Sequence, residues 1–107
     1  MNVDLKVTLS SLEIRNPLML ASGVLGNTGA ILMRVARSGA GAVVTKSIGL
    51  KPRKGYSNPT IVEVDCGFIN AMGLPNPGAD KFIDELKIAK KGGVPVIVSV
   101  FGSTSRE

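Results

Sequence analysis

The sequence predicts an α/β fold built on a parallel sheet, and three observations carry that prediction. Three short apolar runs, residues 18–21, 42–45 and 96–100, lack the polar alternation of a half-exposed strand and read as strands buried on both faces. Two segments with apolar residues at helical spacing separate the runs. Strand, helix and strand succeed one another within about 28 residues, as a βαβ unit requires.

In chain order, Val3, Leu5 and Val7 alternate with polar residues, and Leu12 and Ile14 do so again after Ser10-Ser11, so residues 3–14 read as a capping β-hairpin. Asn16-Pro17 breaks that pattern, and Leu18, Met19, Leu20 and Ala21 form the first parallel strand. After a glycine-rich loop over 22–29, Ile31, Leu32, Val35 and Ala36 share one helix face, with Arg34 and Arg37 turned away. Thr28 is placed to cap this helix and Gly39 to end it. Ala42, Val43, Val44 and Thr45 make the second strand. A loop rich in Gly, Pro and Lys leads to a short strand over 61–65 that pairs outside the main sheet, and residues 67–78 read as a further loop. Phe82, Ile83, Leu86 and Ala89 mark a second helix, with Asp80 near its start and Gly92-Gly93 at its end. The third strand spans 96–100, and residues 102–105 resemble a loop entering another helix. With no linker in view, residues 1–107 read as one domain.

Apolar residues make up 44% and charged residues 20% of the chain, which is ordinary globular usage. The start at Met1 has neither the basic opening nor the apolar run of a secretory signal, and no stretch approaches the ~20 apolar residues of a membrane span. A soluble, cytoplasmic protein is expected. The single cysteine, Cys66, leaves no internal disulfide, and without histidine there is little for a zinc site. The net charge of +5 gathers in Lys51, Arg53 and Lys54 and in Lys81, Lys87, Lys90 and Lys91. No aromatic residues interleave as stacking platforms, so a solvated loop and helix face are favoured over a nucleic-acid surface.

In parallel β/α barrels the active site forms at the C-terminal ends of the strands. Here those ends are Ala21-Ser22-Gly23, Thr45-Lys46-Ser47, and Ser99 through Ser103, mostly small residues against which a flat ligand can lie. An ammonium at the end of a buried strand loses hydration and calls for an anionic or strongly polar partner, so Lys46 either faces a ligand or already belongs to the exposed loop that follows. The run Asn70-Ala71-Met72-Gly73-Leu74-Pro75-Asn76-Pro77-Gly78 offers amides, exposed backbone and rigid prolines to a planar polar ligand, although the same residues serve ordinary turn chemistry.

Asn16-Pro17 with Ala21-Ser22-Gly23, then Thr45-Lys46-Ser47, then the run over 70–78, then Ser99-Val100 with Gly102-Ser103 resemble, in order and spacing, the dihydroorotate dehydrogenases. The resemblance covers nearly the whole chain, and the loop over 70–78 is its most specific part. It implies the N-terminal portion of a (β/α)8 TIM barrel, carrying an N-terminal β-hairpin and parallel strands one to three. The 107 residues fall well short of the ~250 of a closed barrel. The implied activity is FMN-dependent oxidation of dihydroorotate to orotate in pyrimidine (UMP) biosynthesis. By the same resemblance Ala21, Ser22 and Gly23 contact the flavin mainly through backbone, and Lys46 and Ser47 contact it as well. Lys46, Asn70, Met72, Gly73 and Leu74 line the orotate site.

The family's catalytic base, a cysteine in class 1 and a serine in the membrane-linked branch, sits on a loop after a later strand, beyond Glu107. Cys66 precedes the substrate loop and matches no catalytic position. The phosphate site of such barrels comes from the loops after strands seven and eight, so this chain alone is expected to be inactive. The form of the 70–78 loop resembles class 1; within it the type that pairs with a subunit carrying FAD and a 2Fe-2S cluster and passes electrons to NAD is favoured, while the fumarate-using homodimeric type has similar early motifs and stays open beside it. A homo-oligomer or heterotetramer follows for the complete enzyme. Two other readings stand beside this one: a related flavin barrel acting on RNA, similar to tRNA dihydrouridine synthases, and a non-catalytic partial barrel that associates through its unpaired strand edge.

Overall fold

A computed structural model describes residues 3–107; Met1 and Asn2, the start of the expected domain, lie outside the described residues. The elements run β1 (Val7–Leu9), β2 (Leu12–Ile14), β3 (Met19–Leu20), α1 (Gly29–Arg37), β4 (Ala42–Val44), β5 (Ile61–Val64), β6 (Gly67–Asn70), α2 (Ala79–Ala89) and β7 (Val96–Ile97). The main sheet is parallel in the order β3-β4-β7, with Leu20 beside Val43 and Val43 beside Val96. Leu32 and Ala36 of α1, Val43 of β4, Ala89 of α2 and Val94 form the buried core, with Leu20, Val35, Ala40 and Val96 packed around it. The predicted α/β class and all three parallel strands are therefore present.

Burial of the strands departs from the sequence reading. Ala42 and Val43 of β4 are fully buried, but β3 and β7 are only half-buried, and Leu18, Val98 and Val100 are exposed. The cause is topological: β4 has a partner on each side, whereas β3 and β7 have one each.

The N-terminal hairpin pairs Val7 with Ile14 and Leu9 with Leu12. Its turn places Ser10 in the left-handed region (φ 56), as tight hairpin turns demand. Val3 and Leu5, expected in the ladder, lie outside it and are exposed. Continuing the register would set Leu5 opposite Asn16 and Asp4 opposite Pro17, but Pro17 has no N–H and the Asn16 side chain is engaged elsewhere. Asn16 donates to the Gly39 carbonyl (2.9 Å), and Arg15 donates to the carbonyls of Ala36 (2.6 Å) and Ala40 (2.8 Å). The base of the hairpin thus supplies donors to one carbonyl in the last turn of α1 and to two in the turn that follows it.

Helix α1 starts as predicted: the Thr28 hydroxyl accepts from the Ile31 N–H (3.3 Å). Gly39 takes φ 115 just after the helix. The preceding glycine-rich segment contains a short 3-10 turn, Val24–Gly26. Helix α2 runs on into a 3-10 turn, Lys90–Gly92, and stops at Gly93 with φ 75. Ile83, expected to face inward, is exposed. Residues 103–106 make turns rather than the start of a helix.

The segment over 61–65 is a strand outside the main sheet, as predicted, but its partner lies in the stretch 67–78 that the sequence presents as loop. β6 pairs antiparallel with β5, Val62 opposite Ile69 and Glu63 opposite Phe68. Phe68 and Ile69 are good strand formers, and Asp65-Cys66 make the two-residue turn, signals that the glycine at 67 masked. With two hairpins standing off the sheet, the radius of gyration is 15.9 Å, against about 13 Å for a compact chain of 100 residues.

Helices α1 and α2 meet at Gly29, where an added Cβ would lie 2.0 Å from the Glu85 carbonyl oxygen. Gly29→Ala should therefore force the helices apart and lower stability by about 1–3 kcal/mol, the usual range for overpacking. A urea midpoint within error of the parent would show that the helices can shift freely at this crossing.

Candidate functional site

The C-terminal end of β4 is pinned to the chain leaving β7. The Thr45 N–H donates to Ile97 (2.9 Å) and the Ile48 N–H to Ser99 (2.9 Å), so three residues advance on one side against two on the other. The extra residue falls within Lys46-Ser47, and such a bulge re-aims side chains at the end of a strand. Two hydroxyls fix this region laterally. Thr45 is fully buried and its Oγ1 accepts from the Ser99 N–H (3.0 Å), while the Ser47 and Ser99 hydroxyls share a 2.9 Å hydrogen bond. On the other flank the Lys46 N–H donates to the Gly26 carbonyl (3.0 Å). A Cβ at Gly26 would sit 2.4 Å from that nitrogen, so only glycine lets the 3-10 turn approach the Lys46 backbone.

Lys46 is 9% exposed, and among the described residues its ammonium has no hydrogen bond or ion pair. Every fully enclosed side-chain nitrogen or oxygen among those residues has a partner, so the Lys46 head must open onto solvent while its stem is covered. At 9% exposure Lys46 is not a fully solvated loop lysine. Ala21 and Ser22 follow β3, the parallel neighbour of β4, and are exposed; Gly23 has open space where a Cβ would stand.

The substrate-loop candidates divide. Asn70 is not in a loop: it ends β6, opposite Ile61, exposed on the second hairpin, and no hydrogen bond among the described residues joins it to Lys46. Met72 and Gly73 lean on the preceding segment, where the Tyr56 N–H donates to the Met72 carbonyl (3.1 Å) and Gly73 takes φ 76 against Tyr56. Leu74 also adopts a left-handed conformation, φ 53, which costs a non-glycine residue about 1–2 kcal/mol.

Sequence reasoning did not single out Asn76. Its Oδ1 accepts from the N–H groups of Gly49 (3.2 Å) and Gly78 (3.0 Å), and its Nδ2 donates to the Leu74 carbonyl (2.9 Å). Its backbone exchanges two 2.9 Å hydrogen bonds with Arg53. The bond to Gly78 is an Asx turn, and an asparagine between two prolines and ahead of a glycine is the signal for one.

An apolar recess of about 230 Å³ lies elsewhere, lined by Leu50, Phe82, Ile83, Val98, Val100 and Phe101, and holds none of the predicted site residues. Cys66 is exposed in the turn between β5 and β6. No cluster of potential metal ligands occurs among the described residues. The ion pairs Lys6–Glu13 and Lys87–Asp84 are well exposed and bear little on stability or the site.

A family model described as dihydroorotate dehydrogenase matches residues 4–107. The chain is 58% identical over 105 residues to the dihydroorotate dehydrogenase B (NAD(+)) catalytic subunit of Methanosarcina mazei, covering 96% of this chain and 33% of that protein. It is 57% identical over 103 residues to the protein of the same name from Pyrococcus abyssi, covering 96% and 34% respectively. The chain thus spans about a third of the length of these curated relatives. Among solved structures, the crystal structure of DHODH in complex with ferulenol from Eimeria tenella aligns with a TM-score of 0.63 at 22% identity, over 91% of this chain and 28% of that one.

Thr45→Val should leave the Ser99 N–H without its acceptor and cost about 1–3 kcal/mol, with Thr45→Ser recovering most of the loss. Equal melting temperatures for Thr45→Val and its parent would show that the hydroxyl does not hold the two strand ends together.

Proposed function

Because this chain belongs to the dihydroorotate dehydrogenase family, we propose that it supplies the first three strands, and part of the ligand-binding rim, of a single FMN-binding barrel domain that oxidises dihydroorotate to orotate. The observation that carries this reading is Lys46, a lysine with a covered stem, no counter-ion among the described residues and an ammonium open to solvent at a strand's C-terminal end. Such a cation awaits an anion, and the dihydroorotate carboxylate is one.

The residues fit a flat cofactor beside that anion. Ala21, Ser22 and Gly23 present backbone with little side-chain bulk, Gly23 facing free space, and Ser47 is held by Ser99. Bound there, FMN would supply the acceptor for the hydride leaving C6 of the substrate. Lys46 binds the substrate carboxylate and favours negative charge developing nearby. Asn70 donates and accepts through its amide, and the main-chain groups of Met72, Gly73 and Leu74 orient the pyrimidine edge. The C5 proton passes to a base outside this stretch. Cys66, at the tip of an exposed hairpin, lies in a turn rather than at a strand end of the main sheet.

The relatives' printed names, each a catalytic subunit, support a partner subunit, which we assign to the FAD and 2Fe-2S type that transfers electrons to NAD. The resemblance to class 1 puts the proposed place of action in the cytoplasm; no helix among the described residues is long and apolar enough to cross a membrane.

In the full-length subunit carrying this sequence, Lys46→Ala should slow reduction of the flavin by dihydroorotate at least ~100-fold, the scale of removing a preorganised charge-stabilising group, with circular dichroism unchanged. Stopped-flow bleaching of the flavin measures it. Near-normal bleaching would remove Lys46 from the site.

A further inference from the structure

The main-chain groups proposed to face the pyrimidine, those of Met72, Gly73 and Leu74, lie in a segment whose backbone does not hold itself. Gly73 and Leu74 are consecutive left-handed residues, at φ 76 and φ 53. Leucine reaches that conformation only when its surroundings impose it. The Asn76 side chain imposes it in part, through its 2.9 Å hydrogen bond to the Leu74 carbonyl.

The other end of the same amide reaches a different part of the molecule. Asn76 Oδ1 accepts from the Gly49 N–H at 3.2 Å. Gly49 follows Ile48, which is fixed on both sides by the chain after β7: the Ile48 N–H donates to Ser99 and its carbonyl accepts from Phe101. Gly49 is also three residues from Lys46 along one continuous chain. A single side chain therefore refers the loop's geometry to the strand end that carries the cation. Asn76 is half-buried and needs both halves of the amide, one as acceptor and one as donor.

We propose that Asn76 is a positioning residue of this site: its amide sets the distance between the Lys46 cation and the main-chain groups of residues 72–74, and so the affinity for the planar acid that spans them. The proposal rests on the site reading given above. Asn76 touches no ligand atom in this scheme; it acts through Leu74 and Gly49. Its backbone bridge to Arg53, two bonds of 2.9 Å, survives any change of side chain, so the loop stays folded while its register is loosened.

The test is orotate titration of the full-length, flavin-loaded subunit carrying Asn76→Ala, Asn76→Asp or Lys46→Ala, with flavin content and melting temperature measured on each. Asn76→Ala should weaken orotate binding roughly tenfold or more at parental flavin content. Asn76→Asp, which keeps the acceptor bonds to Gly49 and Gly78 but turns a carboxylate oxygen toward the Leu74 carbonyl in place of the donor, should also weaken orotate binding. If Asn76→Ala does not retain flavin, Asn76→Asp alone decides, with weakened orotate binding at full flavin content supporting the proposal. Parental orotate affinity in the flavin-loaded asparagine variants, with Lys46→Ala impaired, would overturn the role of Asn76 and leave the site standing. Parental affinity in Lys46→Ala as well would overturn the site itself. Orotate affinity that falls only in step with flavin content and melting temperature in both asparagine variants would make Asn76 a general determinant of the fold and overturn the positioning role.

Discussion

The two-sided pairing of β4 is the constraint from which the rest follows. It is the only strand of the three-stranded sheet with a neighbour on each edge, and its residues Ala42 and Val43 are fully buried. Because the pairing continues beyond β4 through Thr45 and Ile48, the strand leaves the core with its backbone still held. A side chain on such a segment has a defined origin, and Lys46 is that side chain. Placing a cation on a flexible loop would give it the same charge but a far larger volume to search.

The glycines and hydroxyls around this segment make one arrangement. Gly26 admits the turn after β3 to the Lys46 backbone, Thr45 and Ser47 hold Ser99, and Asn76 takes its bearing from Gly49. Three neighbouring stretches of chain are thereby referred to one strand. The second hairpin is different. β5 and β6 pair only with each other and expose every residue, so Asn70 depends on the hairpin's own turn and on the bond from the Ala71 N–H to Thr60 for its placement.

The sequence exposed what is local or periodic. Thr28 and Gly39 bracket α1 because capping and left-handed termination are properties of single residues in short contexts, and the buried middle strand was visible as an unbroken apolar run. Lys46 was legible by position but not by environment: only the fold shows its stem covered and its head without an ionic partner among the described residues. Half-exposure of β3 and β7 was illegible because an apolar run looks the same at an edge and at a centre. β6 is hidden in a stretch rich in glycine and proline that reads as loop, although Gly67 opens the returning strand. Asn76 was hidden because an asparagine in a turn usually bonds only its own neighbours, and nothing local discloses the bond to Gly49, 27 residues away.

The contact between Glu85 and the first turn of α1 carries one more consequence. The Glu85 carboxylate accepts from the Gly29 N–H at 2.5 Å, and the Thr28 hydroxyl takes the N–H of Ile31. A glycine-rich segment opening into a helix is the usual seat for a phosphate, because free amides and the helix dipole converge there. Here that seat is filled from within by an acidic side chain of the neighbouring helix, so the positive pole of α1 is quenched before any ligand arrives. Under the site reading proposed above, an anion at this rim would therefore meet the Lys46 ammonium on its side chain rather than a fixed backbone dipole.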